Sequence, residues 1–328
     1  MSKKIYKIGL MTSGGDAPGM NAAIRAVVRC CAFYKVDCLG IYRGYEGLIE
    51  GDMKTLTARS VNNIINRGGT VLKSSRSDQF RTKSGRQKAY EQIKKADIDA
   101  LVLIGGDGTF TGGMIFNEEF NFPIIGIPGT IDNDIYGTNF TIGYDTALNT
   151  VVESIDKIRD TASSHKRLFF VEVMGRDAGH IALNSGIGAG AEEILIPEEN
   201  LGLDRLLESL KRSKRTGKSS SIVVVAEGDK IGKNVFELRD YVEEHLKEYD
   251  VRVSVLGHMQ RGGPPSCFDR VLASRMGVKA VESLLDGQTN CMVGIINNKM
   301  ELTPIDKAIK GCSEINKELL RMSDIMST

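Results

Sequence analysis

Residues 124–134 read Ile-Ile-Gly-Ile-Pro-Gly-Thr-Ile-Asp-Asn-Asp, an apolar run that leads directly into a loop with two carboxylates. A short apolar run bounded by proline and glycine is typical of a buried strand. Asp132 and Asp134 follow this strand, at the position where open α/β sheets hold their ligands. The stretch therefore predicts an α/β fold with a chemically active loop at the end of a strand.

Apolar segments alternate with helical patterns along almost the whole chain. In residues 144–160, for example, Ala147, Val151 and Ile155 recur at helical spacing. Strands separated by helices indicate βαβ units, whose parallel sheets are covered on both faces. The predicted strands are residues 5–11, 37–42, 100–104, 123–127, 168–174, 193–196, 221–226, 251–256 and 292–296.

The bulk composition is that of a globular protein large enough for two domains, with 328 residues, 41% hydrophobic and 26% charged. A net charge of +1 gives no sign of a nucleic-acid partner. No apolar run is long enough to span a bilayer, and the Met-Ser-Lys-Lys start leads into a strand, so we expect no membrane partner. Six irregularly spaced cysteines favour reduced thiols and a cytoplasmic location.

Two glycine-rich loops follow predicted strands and are suited to phosphate. They are Ser13-Gly14-Gly15-Asp16 and Gly105-Gly106-Asp107-Gly108-Thr109. Glycines let backbone N–H groups approach a ligand, and the N-terminus of the following helix adds partial positive charge. An ordinary strand-to-helix turn is the alternative for the first loop.

Asp107 lies inside the second loop, where a carboxylate would repel a phosphate unless a cation lay between them. Mg²⁺ held by one carboxylate, water and phosphate oxygens meets that need. The alternative is that Asp107 only caps a helix.

The carboxylate loop and an arginine supply what phosphoryl transfer to an alcohol requires. The reaction needs a base near the hydroxyl and positive charge on the transferring oxygens. Asp132 and Asp134 supply carboxyl groups, and Arg176 follows another predicted strand, where it can stabilise developing charge. A turn in which both aspartates bond backbone amides is the alternative.

A second basic segment, Leu256–Gly263, contains His258 and Arg261, with Arg252 upstream. Such residues can hold a phosphate monoester. Because a lone histidine is more often structural, this segment alone leaves both interpretations open.

In this order, the motifs closely resemble the bacterial ATP-dependent 6-phosphofructokinases. The resemblance runs from Lys7 to about Leu302 and includes Thr12–Arg25, Asn66–Thr70, Thr130–Asp134 and Leu256–Gly263. It implies two doubly wound, largely parallel, Rossmann-like domains with the active site in the cleft between them. The expected ATP/Mg-binding domain is residues 1–139 plus 256–302. The expected fructose 6-phosphate-binding and subunit-interface domain is residues 140–255 plus 303–328.

The implied reaction makes fructose 1,6-bisphosphate from fructose 6-phosphate and ATP, the committed step of glycolysis. Asp132 resembles the base that takes the proton from the 1-hydroxyl, Thr130 and Asp134 flank it, and Arg176 resembles the arginine that stabilises the transferring group. Asp107 resembles the Mg²⁺ ligand. The implied ATP-binding residues are Gly15, Arg76, Ser77, Gly106, Asp107, Gly108 and Thr109.

For the sugar, the resemblance implies a site that two subunits share. Arg167 and Arg252 would reach across from a neighbouring subunit to the 6-phosphate, so we expect a homotetramer. The implied sugar-binding residues are Thr130, Ile131, Asp132, Arg167, Met174, Gly175, Arg176, Glu227, Arg252, His258, Met259, Gln260 and Arg261.

Two glycines bear on the phosphoryl donor. Related pyrophosphate-dependent enzymes carry Asp where Gly108 stands and Lys where Gly129 stands. A side chain at position 108 would fill the space of the inner phosphate of the nucleotide. Two glycines therefore favour ATP, with pyrophosphate as the alternative donor.

An effector site between subunits is also implied, on the positions Arg25, Arg159, Gly190, Ala191, Glu192 and Lys218. The chain departs from the family here, with Ala58 in place of an arginine and Ser219 and Ser220 in place of basic residues. Since lost cations weaken the binding of phosphate-bearing ligands, we expect a weak or altered effector response.

Two rival functions have weaker support. Lipid and NAD kinases share the Gly-Gly-Asp-Gly-Thr loop, but residues 130–134 and 258–261 resemble the sugar-phosphate kinase instead. A non-catalytic regulatory subunit that binds sugar phosphate would be expected to lack the base, the metal ligand or the arginine, and Asp132, Asp107 and Arg176 are all present.

Overall fold

The computed structural model describes residues 4–165, 167–199, 202–215, 221–228, 234–247, 249–311 and 313–326. Along the chain these residues form β1 (Lys7–Thr12), α1 (Met20–Phe33), β2 (Asp37–Ile41), α2 (Gly44–Glu50), β3 (Met53–Leu56), α3 (Lys83–Lys95), β4 (Ala100–Gly105), α4 (Asp107–Phe120), β5 (Ile124–Pro128), α5 (Tyr144–His165), β6 (Arg167–Val173), α6 (His180–Gly188), β7 (Glu193–Leu195), α7 (Gly202–Arg215), β8 (Ser221–Ala226), α8 (Val235–His245), β9 (Asp250–Val255), α9 (Cys267–Leu285), β10 (Cys291–Ile296), β11 (Lys299–Pro304), α10 (Ile305–Lys310) and α11 (Lys317–Met326).

By its internal contacts the chain divides into two units. The first comprises Met1–Thr130, Ile135–Thr146 and Arg261–Ser313. The second comprises Ile131–Asp134, Ala147–Gln260 and Glu314–Thr328. The short loop Ile131–Asp134 is thus grouped with the second unit, although the residues before and after it in the chain belong to the first.

The first unit contains a sheet in the order β11-β10-β5-β4-β1-β2-β3. Its five inner strands pair in parallel, whereas the edge strands β3 and β11 pair antiparallel with β2 and β10. From β1 the chain continues to β2 on one side, and from β4 it continues to β5 on the other side. The strand order therefore reverses between the neighbouring strands β1 and β4. Ligands of open α/β sheets bind at the carboxyl ends of the strands at such a switch point.

The sheet of the first unit is covered on both faces. Large buried side chains such as Leu101, Leu103, Phe110 and Phe116 form the core on the face of α2, α3, α4 and α10. On the other face α1 packs against α9. These two helices approach closely, because a Cβ at Gly277 would lie 2.6 Å from the Cβ of Ala26.

The start of α5 is held by a buried carboxylate from α9. Asp269 accepts hydrogen bonds from the backbone N–H of Gly143 at 2.9 Å and of Thr146 at 2.8 Å. These N–H groups lie in the turn that ends the loop after β5, where a helix start leaves donors without partners. Burial raises the pKa of Asp269 from 3.8 to about 6, while the hydrogen bonds from Thr146 and Gly143 act in the opposite direction.

The second unit contains a four-stranded parallel sheet in the order β7-β8-β6-β9. Leu206 and Leu210 of α7 and Leu238 of α8 are buried in its core together with Phe170 of β6. The central strands read as nearly continuous apolar runs, as expected of strands covered on both faces.

All nine predicted strands are present, and the predicted α/β class with largely parallel sheets is confirmed. The short edge strands β3 and β11 were not predicted. The grouping by contacts differs from the expected domain bounds: residues 140–146 and 303–313 are grouped with the first unit, and residues 131–134 and 256–260 with the second. Residues 303 and 304 end β11, which pairs with β10 along its whole length. No helix in the described parts of the chain is both long enough and apolar enough to cross a membrane.

Candidate active site

Three loops meet at the carboxyl ends of the neighbouring strands β1, β4 and β5. The N–H of Ser13 bonds the carbonyl of Ile104 at 3.0 Å, and the N–H of Gly129 bonds the carbonyl of Gly105 at 3.0 Å. The predicted phosphate loops 13–16 and 105–109 are therefore adjacent, because the strands that carry them are paired.

Thr109 fastens the two phosphate loops to each other. Its Oγ1 donates to the carbonyl of Ser13 at 3.0 Å, and its own carbonyl accepts the hydroxyl of Tyr45 at 2.5 Å. Tyr45 is buried and stacks on Phe80 with ring centroids 3.9 Å apart. The loop at residues 105–109 is thus bonded to a packed pair of aromatic rings, which the sequence analysis did not identify.

The start of α4 bears on the interpretation of Asp107 as a helix cap. Gly106 is the N-cap and makes no side-chain bond, so Asp107 is the first residue of the helix and not its cap. Its carboxylate is half-buried at a positive helix end. Among the described residues no three His, Cys, Asp or Glu side chains form a metal-binding group. A single hard oxygen donor beside a phosphate loop still fits Mg²⁺, which takes its other ligands from water and phosphate.

The two glycines that bear on the donor have different surroundings. No described heavy atom lies within 4 Å of the position that a Cβ would take at Gly108. A Cβ at Gly129 would lie 3.0 Å from Cε of Met20 and 3.2 Å from Cγ2 of Ile104. There is room for a ligand at position 108, whereas any side chain at position 129 is crowded.

Arg76 and Ser77 lie in a loop without regular structure. The N–H of Phe80 donates to Oγ of Ser77 at 3.2 Å, at the start of the 3-10 helix Gln79–Arg81. Arg76 is exposed. Ser77 thus has a structural bond in addition to the role predicted for it.

In the carboxylate loop, Thr130 and Asp132 are buried, and Asp134 is half-buried. The carbonyl of Thr130 accepts Oγ1 of Thr141 at 2.6 Å. The side chain of Asp132 is only 3% exposed, and its Oδ2 lies 3.6 Å from Nε of Arg176. The predicted base and the predicted charge-stabilising arginine are therefore neighbours.

Arg176 has a positive φ of 55°, which is uncommon for a residue with a side chain. Its N–H donates to Oε1 of Glu227 at 2.8 Å. A Cβ at Gly228 would lie 1.9 Å from the carbonyl oxygen of Arg176, so the two turns are in close contact. Strain of this kind concentrates at functional sites.

The segment 257–261 also contributes to this region. Gln260 is buried and accepts the N–H of Met174 at 3.2 Å, while its amide donates to the carbonyl of Gly257 at 3.0 Å. His258 and Met259 are exposed. Gln260 thus positions the backbone of Met174, which adds a structural role to the predicted sugar contact.

The two arginines predicted to reach a neighbouring subunit are held by one carboxylate. Nε of Arg167 lies 2.8 Å from Oδ2 of Asp250, and Nη1 of Arg252 lies 2.7 Å from its Oδ1. Arg167 is opposite Asp250 in the pairing of β6 with β9. Sequence reasoning missed Asp250: its contact with Arg252 is local on β9, but only the strand register brings it to Arg167 as well. The group carries one net positive charge, which suits an anion.

Most of the predicted effector residues form a second cluster. Nη2 of Arg159 donates to the carbonyls of Ala189 at 2.6 Å and Gly190 at 2.8 Å, and Nη1 lies 3.9 Å from Oε1 of Glu192. Ala191 lies between Gly190 and Glu192. Arg25 is half-buried on α1 in the first unit. Lys218, Ser219 and Ser220 lie outside the described residues.

Comparison with known proteins places this arrangement in a family. The family described as Phosphofructokinase matches residues 7–284. The chain is 52% identical to ATP-dependent 6-phosphofructokinase 2 of Bacteroides thetaiotaomicron over 96% of both chains. It is 53% identical to ATP-dependent 6-phosphofructokinase 1 of Thermus thermophilus over 98% of this chain and 99% of the relative.

Solved structures agree in fold. Phosphofructokinase from Saccharomyces cerevisiae matches 99% of this chain and 47% of its own, with 37% identity and a TM-score of 0.88. A pyrophosphate-dependent phosphofructokinase from Marinobacter aquaeolei matches 96% of this chain and 86% of its own, at 20% identity and a TM-score of 0.83. At that identity the second likeness bears on the fold alone.

Proposed function

The chain belongs to the phosphofructokinase family, and on that premise we propose that it phosphorylates fructose 6-phosphate at the 1-hydroxyl with ATP and Mg²⁺. The product is fructose 1,6-bisphosphate, and the enzyme is a glycolytic kinase. The observation that carries the proposal is the pair of Asp132 and Arg176, which lie 3.6 Å apart with the carboxylate buried.

In the proposed mechanism Asp132 accepts the proton of the 1-hydroxyl as its oxygen attacks the terminal phosphorus of ATP. A base must lie within hydrogen-bond reach of that proton. The support for Asp132 is that its buried carboxylate lies in the loop after β5, close to Arg176. Asp134 and Thr130 position the loop. The exposed guanidinium of Arg176 stabilises the charge on the transferring oxygens.

Backbone amides of the loops 13–16 and 105–109 bind the phosphates of ATP, with Arg76 and Ser77 beside them. Asp107 would hold Mg²⁺, whose charge neutralises the phosphate oxygens. The fastening of both loops by Thr109 supports this assignment, because preorganised donors stabilise charge best when they do not have to move.

For the sugar, we propose Ile131, Met174, Gly175, Arg176 and Glu227 as contacts to the ring and its hydroxyls. The 6-phosphate is bound by Arg167, Arg252, His258 and Arg261, with Met259 and Gln260 shaping the segment between them. Arg167 and Arg252 come from a neighbouring subunit of a homotetramer. The support is that Asp250 holds both arginines together on an exposed strand end.

ATP is the proposed donor. The open space at Gly108 leaves room for the inner phosphate of the nucleotide, and the crowding at Gly129 disfavours the lysine that pyrophosphate would need. A cytoplasmic location and control by effectors stay predictions.

The test is formation of fructose 1,6-bisphosphate from fructose 6-phosphate with Mg²⁺ and either ATP or pyrophosphate. We expect activity with ATP only. Activity with pyrophosphate alone would contradict the donor while leaving the base in place. If no product forms with either donor, a non-catalytic subunit that binds sugar phosphate would be favoured.

A variant sharpens the assignment of the donor. Gly108→Asp adds a carboxylate where no described atom would clash, so the fold should persist. The negative charge should nonetheless raise the KM for ATP strongly, since it repels the inner phosphate.

A further inference from the structure

Gly15 lies in the first phosphate loop, and its backbone conformation is not one that requires glycine. Gly14 has a φ of 82°, a conformation that favours glycine, whereas Gly15 is not among the residues with positive φ. The reason for a missing side chain at position 15 must therefore lie in its surroundings.

The space beside Gly15 is filled by Arg261. A Cβ at position 15 would lie 2.9 Å from Nη1 and 3.4 Å from Cζ of this arginine. Nη1 donates to the carbonyl of Asp16 at 3.2 Å. The guanidinium thus lies directly on the phosphate loop.

A second contact holds the chain after Arg261 in place. A Cβ at Gly68 would lie 2.4 Å from the carbonyl oxygen of Gly263, so the segment passes in close contact with the loop at residues 67–69. That loop is itself bonded by Nδ2 of Asn21, at 3.0 Å to the carbonyl of Arg67 and at 3.1 Å to that of Gly68. The backbone just after Arg261 is therefore held by packing, while the end of its side chain lies on the phosphate loop.

We propose that Arg261 couples the binding of the sugar phosphate to the phosphate loop, and that Gly15 lacks a side chain in order to admit this guanidinium. The inference rests on the proposed function, in which Arg261 binds the 6-phosphate. Arg261 then acts on the nucleotide loop as a positioning residue. Gly15 determines affinity for the sugar through Arg261, in addition to any contact that its backbone makes with ATP.

The first test is Gly15→Ala. Nη1 is the far end of a flexible side chain, so Arg261 can move away at little cost to the fold, which an unchanged Tm would verify. The KM for fructose 6-phosphate should rise about tenfold, as for loss of one charged hydrogen bond. Affinity for ATP, measured by calorimetry without sugar, should change far less.

A matched control adds the same methyl group elsewhere. A Cβ at Gly188 would make only an ordinary contact with Cγ2 of Val152, at 3.5 Å. Gly188→Ala should keep wild-type kinetics for both substrates.

A double-mutant cycle separates the coupling from a structural effect. In Arg261→Ala the guanidinium is gone, so adding Gly15→Ala should not raise the KM for the sugar any further. Additive effects of the two substitutions would overturn the inference. The inference would also be overturned if the wild type is active and Gly15→Ala raises the KM for ATP but not the KM for fructose 6-phosphate. A wild type without activity would overturn the proposed function, and the inference with it.

Discussion

At the scale of single residues, Asp132 is the proposed base. Its carboxylate is almost fully buried and has the guanidinium of Arg176 as a close neighbour. The pair is the basis of the proposed roles, with Asp132 as the base and Arg176 as the group that stabilises charge on the transferring phosphoryl oxygens.

Asp132→Asn should lower kcat by a factor of about 10² to 10⁴, since an amide cannot accept the proton. The KM for fructose 6-phosphate should change little, because the lost interaction is needed in the transition state. Steady-state kinetics with both substrates varied will measure this. Asp177→Asn, an exposed neighbour of Arg176, is the control and should retain wild-type values. A large rise in KM with normal turnover would assign Asp132 to binding instead.

At the scale of elements, side-chain bonds between helices hold the loops in place. Arg86 of α3 bonds both carboxylate oxygens of Glu119 of α4, each at 2.7 Å, and the carbonyls of Phe80 and Arg81. These bonds lower the pKa of Glu119. The same arginine therefore fixes α4, which begins in the phosphate loop, relative to α3.

Arg86→Met should destabilise the protein by about 2 kcal/mol, because the bonds of a buried guanidinium to Glu119 and to two carbonyls are lost. Lys157→Met breaks an exposed pair with Glu153 and should leave the Tm almost unchanged. Thermal unfolding of both variants provides the comparison. Equal shifts in Tm would show that the Arg86 pair is no stronger than a surface pair.

The buried Asp269 at the start of α5 should make stability depend on pH. Its folded pKa of about 6 is above the ordinary value of 3.8, so the folded state binds the proton more tightly. Its contribution is most favourable below pH 4 and is lost as the pH rises through 6. Between pH 7.5 and pH 5 the wild type should therefore gain about 1 kcal/mol relative to Asp269→Asn, which does not titrate.

Tm values of both proteins at the two pH values give the measurement. Asp306→Asn, at an exposed carboxylate in the first turn of α10, offers a control: it keeps Asp269 and should change with pH as the wild type does. A difference between wild type and Asp269→Asn that is the same at both pH values would contradict the assignment.

At the scale of the whole molecule, the sugar site is proposed to need two subunits. Light scattering should then give a particle of four 35.8 kDa chains. Two inactive variants, Asp132→Asn and Arg252→Ala, should regain activity when mixed and reassembled, because hybrid interfaces contain one intact site. If tetramers shown to contain both variants regain no activity, each subunit forms its own complete site.

Control by phosphate-bearing effectors should be weak. The guanidinium of Arg159 already bonds two carbonyls, and Ala58 supplies no cation. Phosphoenolpyruvate titrated at subsaturating sugar should change activity by less than about fivefold, the low end of usual allosteric couplings. Strong sigmoidal inhibition would refute this.

What the sequence determined by itself was local. Short apolar runs, separated by segments with helical periodicity, identified nine strands. Glycines and carboxylates directly after these strands identified the predicted phosphate-binding loops and the predicted base. Length and order of the motifs identified the family. These signals are readable because each depends on residues close together in the chain. The edge strands β3 and β11 were not predicted because they are mostly exposed and carry no continuous apolar run.

Only the tertiary structure decided which distant residues meet. Strand order set loop 13–16 beside loop 105–109, register brought Asp250 to Arg167, and helix packing placed Asp269 at the start of α5. The contact of Gly15 with Arg261 joins residues almost 250 positions apart. Such contacts depend on the packing of whole elements, so no local pattern in the sequence can specify them.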